Sequence, residues 1–192
     1  MKHSPFTVVF DACVLYPAPL RDLLMWLGLS GQFRARWSEA IHDEWKRNLL
    51  KNRPDLTRAQ LDRTSGLMDA AIPDSLVEGY EALIPALALP DPNDRHVLAA
   101  AIRCNASVIV TFNERDFPND VLAVYGIESQ HPDEFVENLL DLDSAAVITA
   151  AQRQLASLKN PPIGVTEYLE MLLRQGLVQT TRELYRYSAM LQ

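Results

Sequence analysis

The sequence has only two cysteines, no long apolar run and no surplus of basic residues. Cys13 and Cys104 belong to no paired-cysteine motif, which argues against a zinc centre and against a disulfide framework. A membrane-spanning helix needs about 18 consecutive apolar residues, and no segment reaches that length. The first residues also lack the apolar stretch and cleavage site of an export signal, so we expect a cytoplasmic protein that does not bind membranes.

The charge of the chain is acidic overall but unevenly distributed. The 192 residues carry 18 basic and 25 acidic side chains, a formal net charge of −7. Proteins that coat nucleic acid by bulk attraction need a basic surface, so this charge argues against that class. Residues 34–63 hold eight Lys and Arg against five acids, whereas residues 66–94 hold six acids and residues 116–143 hold eight, both without a base.

Short apolar and β-branched runs predict the strands of a parallel sheet. Phe6–Phe10 and residues 107–112 have no helical period and are typical of strands buried on both faces. Two shorter strands are predicted at residues 33–37 and 126–129. Helical patterns separate these runs, and the alternation indicates an α/β fold.

The helices are recognised by apolar spacing and by their capping residues. Ser38 and Thr57 are predicted to cap two helices. A further helical stretch is predicted over residues 73–87, and Asp94 or Asp91 is predicted to cap the helix that follows.

The last fifty residues contain only helical patterns. We therefore predict an α/β domain over residues 1–142 and a helical C-terminal extension over residues 143–192. The extension could pack on the core, or it could face a substrate, a second copy of the chain or another protein.

Four acids stand where such a sheet could bind a ligand. Ligands of parallel sheets bind beyond the carboxyl ends of the strands, and Asp11 and Asp116 follow the two predicted buried strands. Glu44 lies beside the apolar face of one predicted helix, and Asp94 heads another. Each acid alone is also explained as a turn, a cap or a solvated helix residue. Together they supply the oxygen ligands that suit Mg²⁺.

Five segments within residues 5–140 follow one another in a specific order and spacing: VVFDACVL, WSEAIHDEW, DPNDRHVLAAAI, VIVTFNERDFP and HPDEF. Together they resemble the PIN-domain nucleases, and among them the toxin ribonucleases of VapC-type toxin–antitoxin pairs. The resemblance implies a PIN-like three-layer α/β/α sandwich with a parallel sheet, followed by the helical tail. It implies an endoribonuclease that uses Mg²⁺, or Mn²⁺, to cleave RNA. It also implies a cognate antitoxin and a homodimer as partners.

Carried over by motif, the resemblance assigns metal binding and catalysis to four residues: Asp11, Glu44, Asp94 and Asp116. Thr111 and Asn113 match positions that, in this family, help to hold the acids and the metal-bound water. Asp91 and Asp43 are second choices, because each stands close in sequence to one of the four acids.

A basic cluster lies close to Glu44 in the sequence: Arg34, Arg36, Lys46, Arg47, Lys51 and Arg53. It could steer RNA phosphates toward the acids, or it could be an ordinary solvated helix face. We predict Lys46 and Arg47 as RNA-binding residues. Cys13 is expected to be a small core residue, and His96 a surface residue.

Two other interpretations remain open from the sequence. A phosphatase-like α/β enzyme would use Asp11 as nucleophile, but it needs an aspartate two residues later, where Cys13 stands. A PIN-like interaction protein without activity would retain the acids only as caps.

Overall fold

A computed structural model describes residues 6–191. Four strands form one parallel sheet in the order β2-β1-β3-β4: β1 (Phe6–Phe10), β2 (Phe33–Arg36), β3 (Val108–Val110) and β4 (Glu128–Gln130). The central strands β1 and β3 are buried along almost their whole length, as their unbroken apolar sequences predict. The predicted parallel α/β sheet is therefore confirmed.

Five helices share a compact unit with this sheet: α1 (Ala12–Leu15), α3 (Glu39–Asn52), α4 (Arg58–Ala71), α5 (Arg95–Arg103) and α6 (Asn119–Leu122). Helix α5 packs against β1 and β3, and α3 packs against α1 and α4. The two predicted caps are confirmed: Ser38 Oγ accepts a hydrogen bond from Ile41 N, and Thr57 forms a capping box with Gln60.

The predicted helix over residues 73–87 is wrong. Only a short 3₁₀ turn forms there, at Glu81–Ala86, and it contains Pro85. The preceding backbone is extended, because it forms a bridge to Trp37, whose N–H donates to the Ser75 carbonyl at 3.0 Å. Asp74 has a φ of 62°, which an α-helix does not accommodate.

The start of α5 also differs from the prediction. The Asp91 side chain accepts a hydrogen bond from Asn93 N and so caps the 3₁₀ turn Pro92–Asp94, which precedes α5. Asp94 occupies the cap position of α5, but its carboxylate makes no capping hydrogen bond. Neither acid therefore caps α5 through its side chain, and the Asp94 carboxylate is left for other interactions.

A second compact unit contains four helices: α2 (Ala18–Gly28), α7 (Pro132–Ser157), α8 (Val165–Arg174) and α9 (Val178–Arg186). Within it, α7 packs against α2 and α9, and the Asp133 carboxylate accepts hydrogen bonds from two backbone N–H groups at the start of α9, at 2.8 and 2.9 Å. The predicted helical C-terminal region is confirmed.

The boundary between the two units follows packing rather than chain order. The second unit takes Pro17–Gln32 together with the chain from Pro132 onward. The predicted boundary at residues 142/143 falls at Asp143, a non-helical residue that kinks α7, and as a domain boundary it stays a prediction. Across residues 6–191, no helix combines the length and the hydropathy that crossing a bilayer requires.

Candidate functional site

Asp11 lies at the carboxyl end of β1 and is held by three hydrogen bonds. Its Oδ1 accepts from Ala12 N at 2.7 Å, and its Oδ2 accepts from Thr111 Oγ1 at 2.8 Å and from Cys13 Sγ at 3.1 Å. Thr111 directly follows β3, the strand beside β1, so the parallel pairing of the two strands brings it to Asp11. The Asp11 side chain is therefore fixed in one orientation.

The environment of Asp11 disfavours its charged form. The residue is only 4% exposed, and this burial raises its pKa above the usual range for aspartate. The negative charge of Glu44 raises the pKa further, whereas the hydrogen bonds from Cys13 and Thr111 lower it. A positive charge placed near Asp11 would relieve both of the unfavourable effects.

Asp94 feels the charges of the other predicted acids. Burial and, after it, the charges of Asp11, Asp91, Glu44 and Asp116 together raise the pKa of Asp94 to about 7. These acids come from separate segments, at the ends of two strands, in α3 and in the turn before α5. The structure thus brings all four predicted site acids into one electrostatic environment, with Asp91 as a fifth member.

Glu44 has a partner that the sequence did not reveal. Its Oε2 lies 3.2 Å from His96 Nε2, which joins α3 to α5. The His96 side chain is 17% exposed, so it is partly buried at the acidic cluster and is not an ordinary surface residue. Its Nδ1 is buried and has no hydrogen-bond partner in the described chain. In the sequence, only the position of His96 two residues after Asp94 pointed to this contact, because neither helix by itself encodes which residue of the other it will meet.

Asp116 ends a 3₁₀ turn, Glu114–Asp116, that follows β3. A cavity of about 440 Å³ is lined by the segment Phe112–Asp116. The exposed Asn113 contributes its backbone N–H, which donates to Thr111 Oγ1 at 2.9 Å. Thr111 therefore connects the Asp116 loop to Asp11 through one hydroxyl group.

Cys13 lies in the site rather than serving only as a small core residue. Its thiol contacts Asp11 and Thr111, and its sulfur accepts a hydrogen bond from Phe112 N at 3.3 Å. Burial, followed by the nearby Asp11 charge, raises the pKa of the thiol well above its usual range. The thiol therefore keeps its proton and donates a hydrogen bond to Asp11.

The two second-choice acids separate in the structure. Asp91 raises the pKa of Asp94 and also accepts the hydrogen bond from Asn93 N, so it belongs to the acidic cluster and braces its loop. Asp43, although adjacent to Glu44 in sequence, forms an ion pair with Arg58 instead.

The prediction of Lys46 as an RNA-binding residue does not agree with the structure. Its side chain is only 2% exposed, and its Nζ donates to Asp62 at 2.9 Å and to Ser65 Oγ at 3.2 Å. A buried, paired ammonium holds α3 to α4 and has no surface to offer a phosphate. Arg47, by contrast, is exposed.

The donor set of the acidic cluster consists of carboxylate oxygens, which hard divalent cations prefer. Among residues 6–191, no three His, Cys, Asp or Glu side chains already stand close enough to enclose a metal ion. Mg²⁺ usually takes only one or two protein carboxylates and keeps several waters, so a looser acidic cluster fits it. Burial is the main cause of the raised pKa of Asp94, and repulsion among the uncompensated carboxylates adds to it by favouring the protonated form.

Comparison with known families gives two matches along the chain. Residues 7–115 match the family model of the PIN domain, and residues 132–186 match that of the VapC50 C-terminal domain. The first match covers more than half of the chain and includes Asp11, Glu44 and Asp94.

One curated protein of Mycobacterium tuberculosis (strain ATCC 25618 / H37Rv) is similar in sequence. It carries the description "Putative ribonuclease VapC50" and is 40% identical over 97 residues. The alignment covers 50% of this chain and 57% of that protein, so the similarity spans little more than half of either. No solved structure matches the chain.

Proposed function

This chain belongs to the PIN-domain family, and from that premise we propose that it is a Mg²⁺-dependent endoribonuclease that acts as the toxin of a type II toxin–antitoxin pair. One observation carries the proposal: Asp94 is partly buried, and its burial together with the charges of four acids from separate chain segments raises its pKa to about 7. Buried carboxylates that repel one another destabilise the fold unless a cation offsets their charge. Acids with strongly shifted pKa values of this kind are concentrated at functional sites.

Asp11 and Asp94 would hold the divalent cation, Mg²⁺ or Mn²⁺, with Glu44 and Asp116 completing its surroundings. When bound, such an ion stabilises the charge that develops during in-line displacement at a phosphodiester and lowers the pKa of the attacking water. The similarity to a protein described as a ribonuclease supports RNA as the substrate.

The surrounding residues determine which oxygen atom can bind the cation. Oδ2 of Asp11 already accepts two hydrogen bonds, from Thr111 and Cys13, whereas Oδ1 accepts one, from Ala12 N. A carboxylate oxygen has two lone pairs, so Oδ1 retains one for a ligand. Thr111 and Cys13 therefore act as positioning residues that orient Asp11, and His96 does the same for Glu44.

The test is RNA cleavage by the purified protein, with Mg²⁺ or Mn²⁺ and with a chelator. Asp11→Asn and Asp94→Asn are expected to reduce the rate by at least about 100-fold, because each removes charge where the cation would be held. Asp55→Asn is the matched control: Asp55 pairs with the exposed Arg53 outside the acidic cluster, so this change should leave the rate within about twofold. Cleavage at the wild-type rate in the presence of the chelator, or in both site variants, would contradict the proposal.

The pairing with an antitoxin is tested separately. An acidic site can be blocked by an Arg or Lys side chain, whose charge-assisted hydrogen bonds to carboxylates are strong. We expect a small DNA-binding protein encoded beside this chain to form a complex with it and to stop cleavage. A neighbouring protein that binds but leaves the cleavage rate unchanged would contradict inhibition at this site. Light scattering of the purified chain checks the proposed homodimer.

A PIN-like interaction protein without activity is the second candidate, favoured by the lack of a ready-made three-residue cage among residues 6–191. In that case Mg²⁺ or Mn²⁺ would leave the melting temperature unchanged, because a ligand stabilises only the state that binds it. A phosphatase is disfavoured, since the thiol of Cys13 occupies the place of its second aspartate and donates a hydrogen bond to Asp11.

A further inference from the structure

We propose that Arg47 and Lys51 form a phosphate-binding tract along α3 that leads single-stranded RNA to the acidic site at Glu44. The inference deepens the function proposed above and rests on it, because it concerns how the substrate reaches that site. It replaces Lys46, which the structure buries, with Lys51, five residues further along the helix.

A surface cleft of about 490 Å³ carries the proposal. Its lining contains three cationic side chains, one carboxylate and one apolar residue: Arg47, Lys51, Arg58, Asp43 and Leu50. Arg58 is occupied by its ion pairs with Asp43 and Asp62. Arg47 and Lys51 are exposed, and within residues 6–191 neither has a carboxylate partner. Two cations of this cleft are thus available to an anionic ligand.

Helix geometry connects these cations to the acidic site. Lys51 follows Glu44 by seven residues, which places it about 20° around the helix and about 10 Å along the axis. Arg47 follows Glu44 by three residues, about 60° around and about 4.5 Å along. The three side chains therefore form one stripe on α3, with the acid at one end and the cations leading away from it.

The charge distribution explains why such a tract is needed. The acidic cluster repels phosphates, so an RNA strand needs attraction outside the cluster to remain near it. Two neighbouring cations about 6 Å apart along a helix can contact successive phosphates without reading the bases.

The same chemistry favours RNA over an acidic protein segment. Binding to a phosphate backbone is dominated by charge and needs no apolar anchor. Stable protein interfaces depend on buried aromatic, aliphatic or Arg anchors in well-packed pockets, and Leu50 is the one apolar side chain in the lining of this cleft.

The experiment measures binding and not only activity. The full chain is titrated against a fluorescein-labelled, unstructured RNA of about 15 nucleotides in the presence of a chelator, and anisotropy is followed over a series of salt concentrations. Each single-strand phosphate contact contributes about 0.7 to the slope of log K against log salt. Arg47→Ala/Lys51→Ala should therefore lower the slope by about 1.4 and weaken binding about 20-fold at 0.1 M salt.

Two matched controls accompany the double variant. Arg63→Ala removes an exposed cation of α4 that does not line the cleft, and it should leave the slope unchanged. Arg47→Lys/Lys51→Arg keeps both charges and should retain most of the affinity. The substituted side chains are exposed, so we expect all of these variants to have the melting temperature of the wild type. Equal melting temperatures would show that a loss of binding does not come from a folding defect.

The outcomes separate this proposal from the proposed function. If the wild-type chain does not bind the RNA, or if the double variant and Arg63→Ala behave alike, the tract is wrong even when cleavage occurs. If the double variant loses binding while the wild-type chain cleaves nothing, the tract stands and the nuclease proposal fails. Loss of antitoxin binding alone, with the RNA affinity intact, would assign the cleft to a protein and overturn the proposal.

Discussion

Helix α3 contributes to two polar clusters that are organised in opposite ways. At Glu44 it contributes to a group of like-charged carboxylates, whose repulsion adds to the effect of burial in raising the pKa of Asp94. At His42 and Lys46 it joins groups that complement one another: His42 Nε2 lies 3.0 Å from Asp69, and Lys46 Nζ lies 2.9 Å from Asp62. Among the described groups that shift the pKa of Asp94, none is a Lys or Arg, whereas in the second cluster both acids accept hydrogen bonds from buried donors. The contrast separates the proposed ligand site from a cluster that stabilises the fold.

The cluster of His42, Lys46 and their partner acids should give the largest effect on stability. Trp45 Nε1 donates to His42 Nδ1 at 3.0 Å, so His42 Nε2 carries the hydrogen and donates to Asp69. Trp37 Nε1 donates to the same Asp69 at 2.7 Å. Asp69→Ala removes the acceptor of two buried donors and should lower the free energy of unfolding by about 2–4 kcal/mol. Chemical denaturation measures this change.

Asp55→Ala is the control for that experiment, because the Arg53–Asp55 pair is exposed and its loss should leave the free energy of unfolding nearly unchanged. Below its melting temperature, the Asp69→Ala variant should still cleave RNA at the wild-type rate. A loss of activity without a loss of stability would show that the two clusters are not separate in function.

An intermediate effect is expected at His96, which touches the acidic cluster without adding a carboxylate. His96→Ala should reduce kcat about tenfold and raise the Mg²⁺ concentration needed for half-maximal stabilisation, because Glu44 loses the group 3.2 Å away that orients it. His96→Gln can place an amide nitrogen near the position of Nε2 and should recover most of both losses. If Gln and Ala behave alike, His96 only fills space.

The smallest effect concerns pH in the metal-free acidic cluster. The folded pKa of Asp94 is raised to about 7 from 3.8, so the folded state binds the proton more tightly. Stability from this residue is therefore present at low pH and is lost as the pH rises from about 4 through 7. Asp94→Asn removes the titrating group.

The Asp94→Asn variant should melt about 2–4 °C above the wild type at pH 8 in chelator, and the difference should vanish near pH 4. The partly exposed position of Asp94 and solvent screening keep the effect small. Excess Mg²⁺ should reverse the order, because only the wild type keeps the full set of carboxylates. An unchanged difference across this pH range would mean that the acids do not interact.

Local patterns predicted the elements that carry the site, because those elements are set by neighbouring residues. The buried run Phe6–Phe10 forms β1 within its predicted bounds, and Ser38 and Thr57 cap α3 and α4. Asp11 stands at a strand end for the same local reason. Periodicity and capping together were enough to place these residues.

What the sequence did not predict depends on which elements pack together. Lys46 is buried because α4 brings Asp62 and Ser65 against α3, and His96 reaches Glu44 because α5 lies beside it. No pattern within a single helix encodes either contact. The helix predicted over residues 73–87 was wrong for a related reason. The backbone of this segment forms hydrogen bonds with Trp37, which lies 38 residues before Ser75.

The hydrogen bond from Thr111 to Asp11 also makes strand register a condition for activity. β1 and β3 pair with Val8 opposite Val108, and Thr111 follows the end of β3. A slip of one residue turns every side chain of a strand to the opposite face of the sheet, which would take the hydroxyl away from the carboxylate. A misregistered copy of the protein would therefore lose the hydrogen bond that orients Asp11, so the proposed nuclease could act only after the two strands have paired in the correct register.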